Sequence, residues 1–175
     1  MCAVLSFVKE KFWFFISFTI SKGVVFIAPL LIAEILSKED FGILEYALAG
    51  LGMVLNTLVN MGVPSAYAYF KLKKANINID NAFALHYFWL LIFFLVVQLV
   101  HLTIGIQPHF YIALNVAYII GNQVYISTQL KTNEKISYAV FFDSGIYIIL
   151  LVSYILALSG IIIPSITVLG NIILA

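Results

Sequence analysis

Long apolar runs are the feature that most constrains the fold of this chain. Stretches of about 20 residues with almost no charge recur along the sequence, and each is long enough to cross a hydrocarbon core about 30 Å thick. Only 10% of the 175 residues are charged and 63% are hydrophobic, which leaves too little charge for the water-facing shell of a soluble domain. The sequence therefore predicts an all-α fold, a polytopic bundle of transmembrane helices.

The positions of these runs predict about six spans, the sixth of them incomplete. The polar connections between them, such as SKED, QPH and KTNEK, are short, so no extramembrane domain is expected. The last run is about 15 residues long and rises about 22 Å, less than a full crossing. We therefore expect residues 1–175 to form one transmembrane domain, the N-terminal lobe of a longer protein. The predicted spans are residues 12–36, 43–70, 82–106, 110–130, 136–159 and 161–175.

The lysines predict the orientation of the bundle in the membrane. All nine basic residues are lysines, and cytoplasmic loops of membrane proteins carry an excess of positive charge. A cytoplasmic N-terminus leaves Lys38 as the one loop lysine on the outer side. The scattered lysines form no basic face, so no nucleic-acid partner is expected. The apolar spans are expected to be surrounded by membrane lipids. The inner lysines are Lys9, Lys11, Lys71, Lys73, Lys74, Lys131 and Lys135.

The sequence contains no recognisable catalytic or cofactor-binding motif. It has no GxSxG, no HExxH, no P-loop and no Gly-rich dinucleotide fingerprint. Cys2 is the only cysteine, and the segment HLTIGIQPHF, residues 101–110, lacks the spacing of a metal site. We therefore predict that the chain is not an enzyme and that it binds neither a cofactor nor a metal ion.

Lys22 lies near the middle of the first predicted span, where a charge costs about 2.5–3.5 kcal/mol on insertion scales. Its side chain cannot reach either membrane surface, so it should face protein or a water-filled cavity. Two interpretations follow: a cavity-lining cation that binds a ligand, or a buried ion pair with Glu45 or Asp143. Pro29, in the same span, removes a backbone hydrogen bond and is expected to bend the helix.

Polar residues also repeat along single faces of later spans. Glu45, Gly52, Asn56 and Asn60 fall within about 80° of arc in the second span, at 100° per residue. Such a seam suits ligand binding, and it equally suits close contact between helices. The fourth span carries a stripe that would bind a hydroxyl-rich ligand or form an interhelical network, namely Asn115, Tyr118, Asn122, Tyr125 and Gln129.

Ionisable residues at membrane depth give candidates for ion coupling. Asp143 in the fifth span is either a proton or cation site or the partner of Lys22, and Glu45 is a second candidate near the outer end of its span. His86 lies near the inner end of the third span, and His101, toward its outer half, fits a hydrogen-bonded structural role better than a proton relay.

The order of features in the first 74 residues resembles a known family. An apolar first helix carries Lys22 and Pro29 and is followed by the loop LSKEDFG, residues 36–42. The second helix ends in NMGVPSAYAYF, residues 60–70, and the basic segment KLKK follows. This order resembles the N-terminal region of bacterial polysaccharide biosynthesis and O-antigen flippases, which belong to the multidrug/oligosaccharidyl-lipid/polysaccharide exporter superfamily.

The resemblance, strong over about residues 15–74, implies a fold and an activity. It implies two six-helix lobes around a central cavity that opens alternately to each side of the bacterial cytoplasmic (inner) membrane. The implied activity is translocation of undecaprenyl-pyrophosphate-linked oligosaccharide for cell-surface polysaccharide synthesis. The implied partners are this lipid-linked oligosaccharide and the polysaccharide polymerase and glycosyltransferase machinery. The chain has no arginine, so this lobe cannot form an arginine clamp for phosphate.

The resemblance also directs the choice of site residues. Lys22 matches the position of a cavity cation for the diphosphate, and the amides of Asn56, Asn60 and Asn122 are the other substrate-binding candidates. Asp143 and Glu45 are the ion-coupling candidates. Two alternative functions stay open: a drug or cation exporter of the same superfamily, and a small membrane scaffold protein that forms a homodimer.

Overall fold

The computed structural model describes the backbone of residues 2–73 and 78–174, and the side chains of residues 11–73 and 78–170. Within these residues the chain is 87% helix and contains no strand, which confirms the all-α prediction. Lys74 lies outside the described residues, and Lys9 is described in its backbone alone. The helices are α1 Cys2–Ile35, α2 Lys38–Glu45, a π-helical segment Tyr46–Gly50, α3 Leu51–Asn60, α4 Val63–Leu72, α5 Ile79–Ile104, α6 Pro108–Thr132, α7 Ile136–Asp143, α8 Gly145–Leu158 and α9 Ile166–Leu174.

Among the residues that the structure describes, three helical stretches are long and apolar enough to cross a membrane, and a fourth qualifies if the bent pair α7–α8 is one span. The six predicted spans are therefore not confirmed. Helix α6 covers the predicted fourth span and is 25 residues long, but its amides and hydroxyls lower its hydropathy. The predicted sixth span begins with irregular backbone after Gly160, and its helix α9 has only 9 residues. The three stretches are Lys11–Ile35, Lys38–Asn60 and Ile79–Ile104.

The predicted second span, residues 43–70, is divided at a left-handed turn. Met61 and Gly62 have φ angles of 48° and 71°, and Met61 closes α3 as its C-cap. Gly62 adopts this conformation without strain. Pro64 suits the first turn of α4, because amide hydrogens in that turn have no partner within the helix and proline has none. The membrane-length stretch therefore ends at Asn60, and α4 is a separate short helix.

A π-helical segment at Tyr46–Gly50 lies in the same stretch. Its widened turn directs the Ala47 carbonyl oxygen toward the position that a Cβ atom on residue 52 would occupy. Gly52 is buried, and the Val116 side chain of α6 would lie 3.3 Å from that Cβ atom. Glycine at position 52 thus permits both the π-helical turn and the close approach of α6.

Helices α7 and α8 meet at a bend of 58° around Ser144. The break frees the Val140 carbonyl from its usual helical partner, because the Ser144 amide bonds to Phe141 instead. The Ser21 hydroxyl of α1 donates to that carbonyl at 2.9 Å, and the Ser144 hydroxyl donates to it at 3.4 Å. In a membrane interior such a carbonyl has no water to bond, so these hydroxyls stabilise the bend and join α1 to α7.

Replacement of Ser21 by alanine should therefore lower the stability of the purified protein in detergent. The loss of one buried hydrogen bond is expected to cost about 1 kcal/mol, which corresponds to about 2–4 °C in melting temperature. Ser159→Ala is the matched control, because the exposed Ser159 hydroxyl, at the C-cap of α8, bonds among the described residues only to the Leu156 carbonyl of the same helix. Equal melting temperatures for the two variants would contradict a stabilising role for the Ser21–Val140 bond.

Helix α6 is the central element of the bundle. It packs against α3, α5 and α7 and also contacts the π-helical segment, α2, α4, α8 and α9. The described residues form two hydrophobic clusters, and each includes residues of α6. The larger one joins α6 to α1, α2, α8 and α9, and the smaller one contains Val59, Tyr67, Phe83, Leu90 and Tyr125.

Candidate functional site

Lys22 is exposed on the surface of α1, near the middle of a membrane-length helix. Its neighbour Ser21 is buried against α7, whereas Lys22 itself is exposed, so the lysine side chain points away from the bundle. The lysine Nζ lies 5.7 Å from the centre of the Phe18 ring, a cation–π distance. Phe18, Phe26 and Leu30 are also exposed and, with Lys22, form a row at four-residue spacing along α1.

The structure does not pair Lys22 with either of its suggested carboxylates. Asp143 accepts a hydrogen bond from Lys131 at 2.8 Å, and both side chains are close to half exposed. Glu45 is exposed and forms no ion pair within the described residues. The two ion-coupling candidates, Asp143 and Glu45, are thus not brought together with Lys22 into one site.

Asn56 and Asn60 belong to a hydrogen-bond network between α3 and α5. The Asn60 amide nitrogen donates to the Asn56 side-chain oxygen at 2.6 Å and to the Asn56 carbonyl at 3.0 Å. His86 Nε2 lies 3.2 Å from the Asn60 side-chain oxygen and donates to it in the matching tautomer. Because Asn60 and His86 are buried, this arrangement supports the helix–helix interpretation of the seam.

The polar stripe predicted for the fourth span is divided among three environments. Near one end of α6, Gln98 donates to Asn115 at 2.9 Å and accepts from the Tyr111 hydroxyl at 2.6 Å. Tyr125 stacks on Phe83 in the smaller hydrophobic cluster, with ring centres 4.2 Å apart. Asn122, which donates to the Tyr118 carbonyl, lines a groove on another side of the helix.

This groove runs between α6 and the bent α7–α8 pair and has a volume of about 660 Å³. Its walls are mainly aromatic and aliphatic, and Asn122 and Gln123 supply amides. The sequence prediction missed Gln123, although two adjacent amides within an apolar helix are a signal that can be read from the sequence. The other lining residues are Phe94, Tyr118, Ile119, Ile126, Phe141, Phe142, Gly145, Ile148 and Ile149.

An ion pair connects α4 to α5 at the end that the lysine distribution predicts to be cytoplasmic. Lys71 Nζ lies 2.7 Å from both carboxylate oxygens of Asp80, and the Tyr67 hydroxyl donates to the same carboxylate at 2.9 Å. Hydrogen bonding to Asp80 raises the pKa of the Lys71 amine above its ordinary value. The pair is exposed to solvent, so it orients the two helices more than it stabilises the fold.

Within the described residues, no group of three or more His, Cys, Asp or Glu side chains could hold a metal ion. Several long apolar helices are consistent with a membrane protein, and helical membrane protein is the class that the fold supports. No protein-family model, curated protein or solved structure matches the chain.

Proposed function

We propose that the chain is the N-terminal lobe of a flippase that moves lipid-linked oligosaccharide across the bacterial cytoplasmic membrane. In this proposal Lys22 binds the diphosphate of the undecaprenyl-pyrophosphate carrier. The observation that supports it is the position of Lys22, which is exposed in the middle of a membrane-length helix and points away from the bundle.

A lysine at this depth is unfavourable next to lipid chains, because its charge would be desolvated without a counterion. A water-filled cavity or a second protein surface removes that cost. In a two-lobe transporter, the exposed row on α1 that contains Lys22 would line the cavity between the lobes. A diphosphate in such a partly dehydrated cavity attracts a lysine more strongly than it does in bulk water.

The remaining proposed site residues differ in how much the structure supports them. Asn122 has a side-chain oxygen without a hydrogen-bond partner in the described residues, so it stays a substrate-binding candidate. Asn56 and Asn60 bond to each other, so their contribution to binding would be indirect. A coupling role for Asp143 requires its carboxylate to separate from Lys131 so that it can bind a proton or cation. The alternative function as a drug or cation exporter requires the same separation.

Labelling of introduced cysteines tests whether the Lys22 row faces water. In a Cys2→Ser background, Phe18→Cys and Phe26→Cys should react with a water-soluble maleimide in intact membranes. Leu95→Cys should not react, because Leu95 is exposed in the middle of α5, where it is expected to face lipid. The rate of labelling, normalised to the denatured protein, is the measurement.

Two outcomes would contradict a water-filled cavity along α1. Labelling at positions 18 and 26 as slow as at position 95 would show that this face is not hydrated. Disulfide crosslinks between two copies through position 18 or 26 would instead support the homodimeric scaffold. The direct test of transport is the loss of surface polysaccharide when Lys22 is replaced by alanine.

A further inference from the structure

The Gln123 side chain has unused hydrogen-bonding capacity inside the groove between α6 and α7–α8. Its amide offers two N–H donors and one carbonyl acceptor, and it forms no hydrogen bond with any residue that the structure describes. The side chain is half-buried among apolar walls. An unpaired amide in apolar surroundings is costly, so a polar partner should occupy the groove.

The depth of the two amides argues against a lipid tail as that partner. Gln123 lies about 22 Å along the helix axis from Pro108 and about 14 Å from Thr132, which places it near the middle of α6. Hydrocarbon chains carry no hydrogen-bonding group at that depth. The ligand must therefore bring its own hydroxyl or amide groups into the membrane interior.

The charge and shape of the groove define the ligand further. None of the described lining residues is charged, so a neutral ligand is favoured over an ion. Phe141 and Phe142 are 37% and 42% exposed, which leaves aromatic surface for a ring to contact. Sugar rings combine hydroxyls, which bond to amides, with apolar C–H faces, which pack on aromatic rings.

Gly145 controls the position of the Gln123 amide. A Cβ atom at position 145 would lie 2.6 Å from Gln123 Nε2, so only glycine leaves room for the amide in its present place. Because Gly145 follows the bend at Ser144, the bend itself brings the start of α8 against Gln123. A side chain added at position 145 would therefore displace the Gln123 amide while Gln123 itself is unchanged.

We propose that this groove binds a neutral sugar ring, held by the Asn122 and Gln123 amides and packed against Phe141 and Phe142. The volume of about 660 Å³ lies within the range of about 300–1,000 Å³ that is common for small-molecule sites. The site is independent of Lys22 and extends beyond the diphosphate role proposed for that lysine.

Equilibrium binding of radiolabelled octyl β-D-glucoside tests the proposal. The full chain is placed in lipid nanodiscs, and the glucoside is kept below the concentration at which it forms micelles. Saturable binding is expected, and 1-octanol at equal concentration should not displace it, because octanol has the chain without the sugar. Displacement by 1-octanol, or no saturable binding, would overturn the proposal.

Three variants locate the bound sugar. Gln123→Met should weaken glucoside binding about tenfold, since it removes the hydrogen bonds and keeps the side-chain length. Gly145→Ala should weaken it similarly by displacing the same amide. Gln107→Met, at the exposed N-cap of α6 and outside the groove lining, should bind as the unmodified protein does. Unchanged binding in both Gln123→Met and Gly145→Ala would overturn the proposal.

A fourth variant separates this inference from the flippase proposal. Lys22→Ala protein should bind octyl glucoside with unchanged affinity, whether or not cells that carry it make surface polysaccharide. Loss of glucoside binding in Lys22→Ala would overturn an independent site in the groove. Normal surface polysaccharide in Lys22→Ala cells would contradict the diphosphate role and leave the glucoside result as it stands.

Discussion

Cells in which Lys22→Ala replaces the native protein are expected to lose their surface polysaccharide. A hydrogen bond to a charged group is worth about 1.5–3 kcal/mol, which corresponds to about 10- to 150-fold in diphosphate affinity. Because Lys22 points away from the bundle and forms no ion pair within the described residues, its removal should leave the fold intact. The measurements are the amount of surface polysaccharide and the amount of protein in the membrane.

Two further variants make the Lys22 result specific. Lys22→Arg keeps the positive charge with a different geometry, so it should retain part of the activity. Lys38→Ala removes an exposed lysine at the start of α2 and should leave polysaccharide unchanged. Normal polysaccharide in Lys22→Ala cells would refute the diphosphate role, and loss of the protein from their membranes would favour a structural role for Lys22.

Gly52→Ala is expected to destabilise the protein more than any other glycine-to-alanine change in α2 or α3. The added methyl group would collide with the Ala47 carbonyl and crowd Val116 of α6. Overpacking of this kind costs about 1–3 kcal/mol, which corresponds to a fall of about 2–12 °C in melting temperature. Thermal melting of the detergent-solubilised protein, followed by tryptophan fluorescence, measures the change.

Gly42→Ala is the matched control for this glycine. Gly42 is exposed in α2, and no atom lies within 4 Å of the position that a Cβ atom would occupy there. Alanine has the higher helix propensity, so Gly42→Ala should leave the melting temperature unchanged or raise it slightly. A Gly52→Ala protein as stable as Gly42→Ala would mean that the π-helical turn relaxes to an ordinary α-helix at little cost.

The helical class and several helix boundaries were predictable from the sequence, because long apolar runs and short polar connections report directly on them. The predicted start of the third span at residue 82 lies near the start of α5 at Ile79, and the predicted end at residue 106 lies near Ile104. The number of spans was not predictable in the same way. Hydropathy does not register the left-handed turn at Met61–Gly62 or the bend at Ser144, which depend on local backbone geometry.

The site was predictable in its residue types and not in its arrangement. Residues that share a helical face in projection, such as Asn115 and Asn122, contact different neighbours because α6 is surrounded on several sides. The partner of Asp143 was not evident, since Lys131 lies on the preceding helix and is brought near by the packing of α7 against α6. The exposure of Lys22 depends on which face of α1 packs against α7 and α8, and sequence spacing does not reveal that face.

The central position of α6 has a consequence for how the protein enters the membrane. This helix is not apolar enough to count among the candidate spans. Its transfer from the protein-conducting channel into lipid is therefore expected to be only weakly favourable when the helix is alone. The Gln98–Asn115 and Tyr111–Gln98 bonds pair its polar groups with α5 across a three-residue connection. Helices α5 and α6 are therefore expected to insert together as a helical hairpin, because the hydrophobicity of α5 favours insertion of the pair.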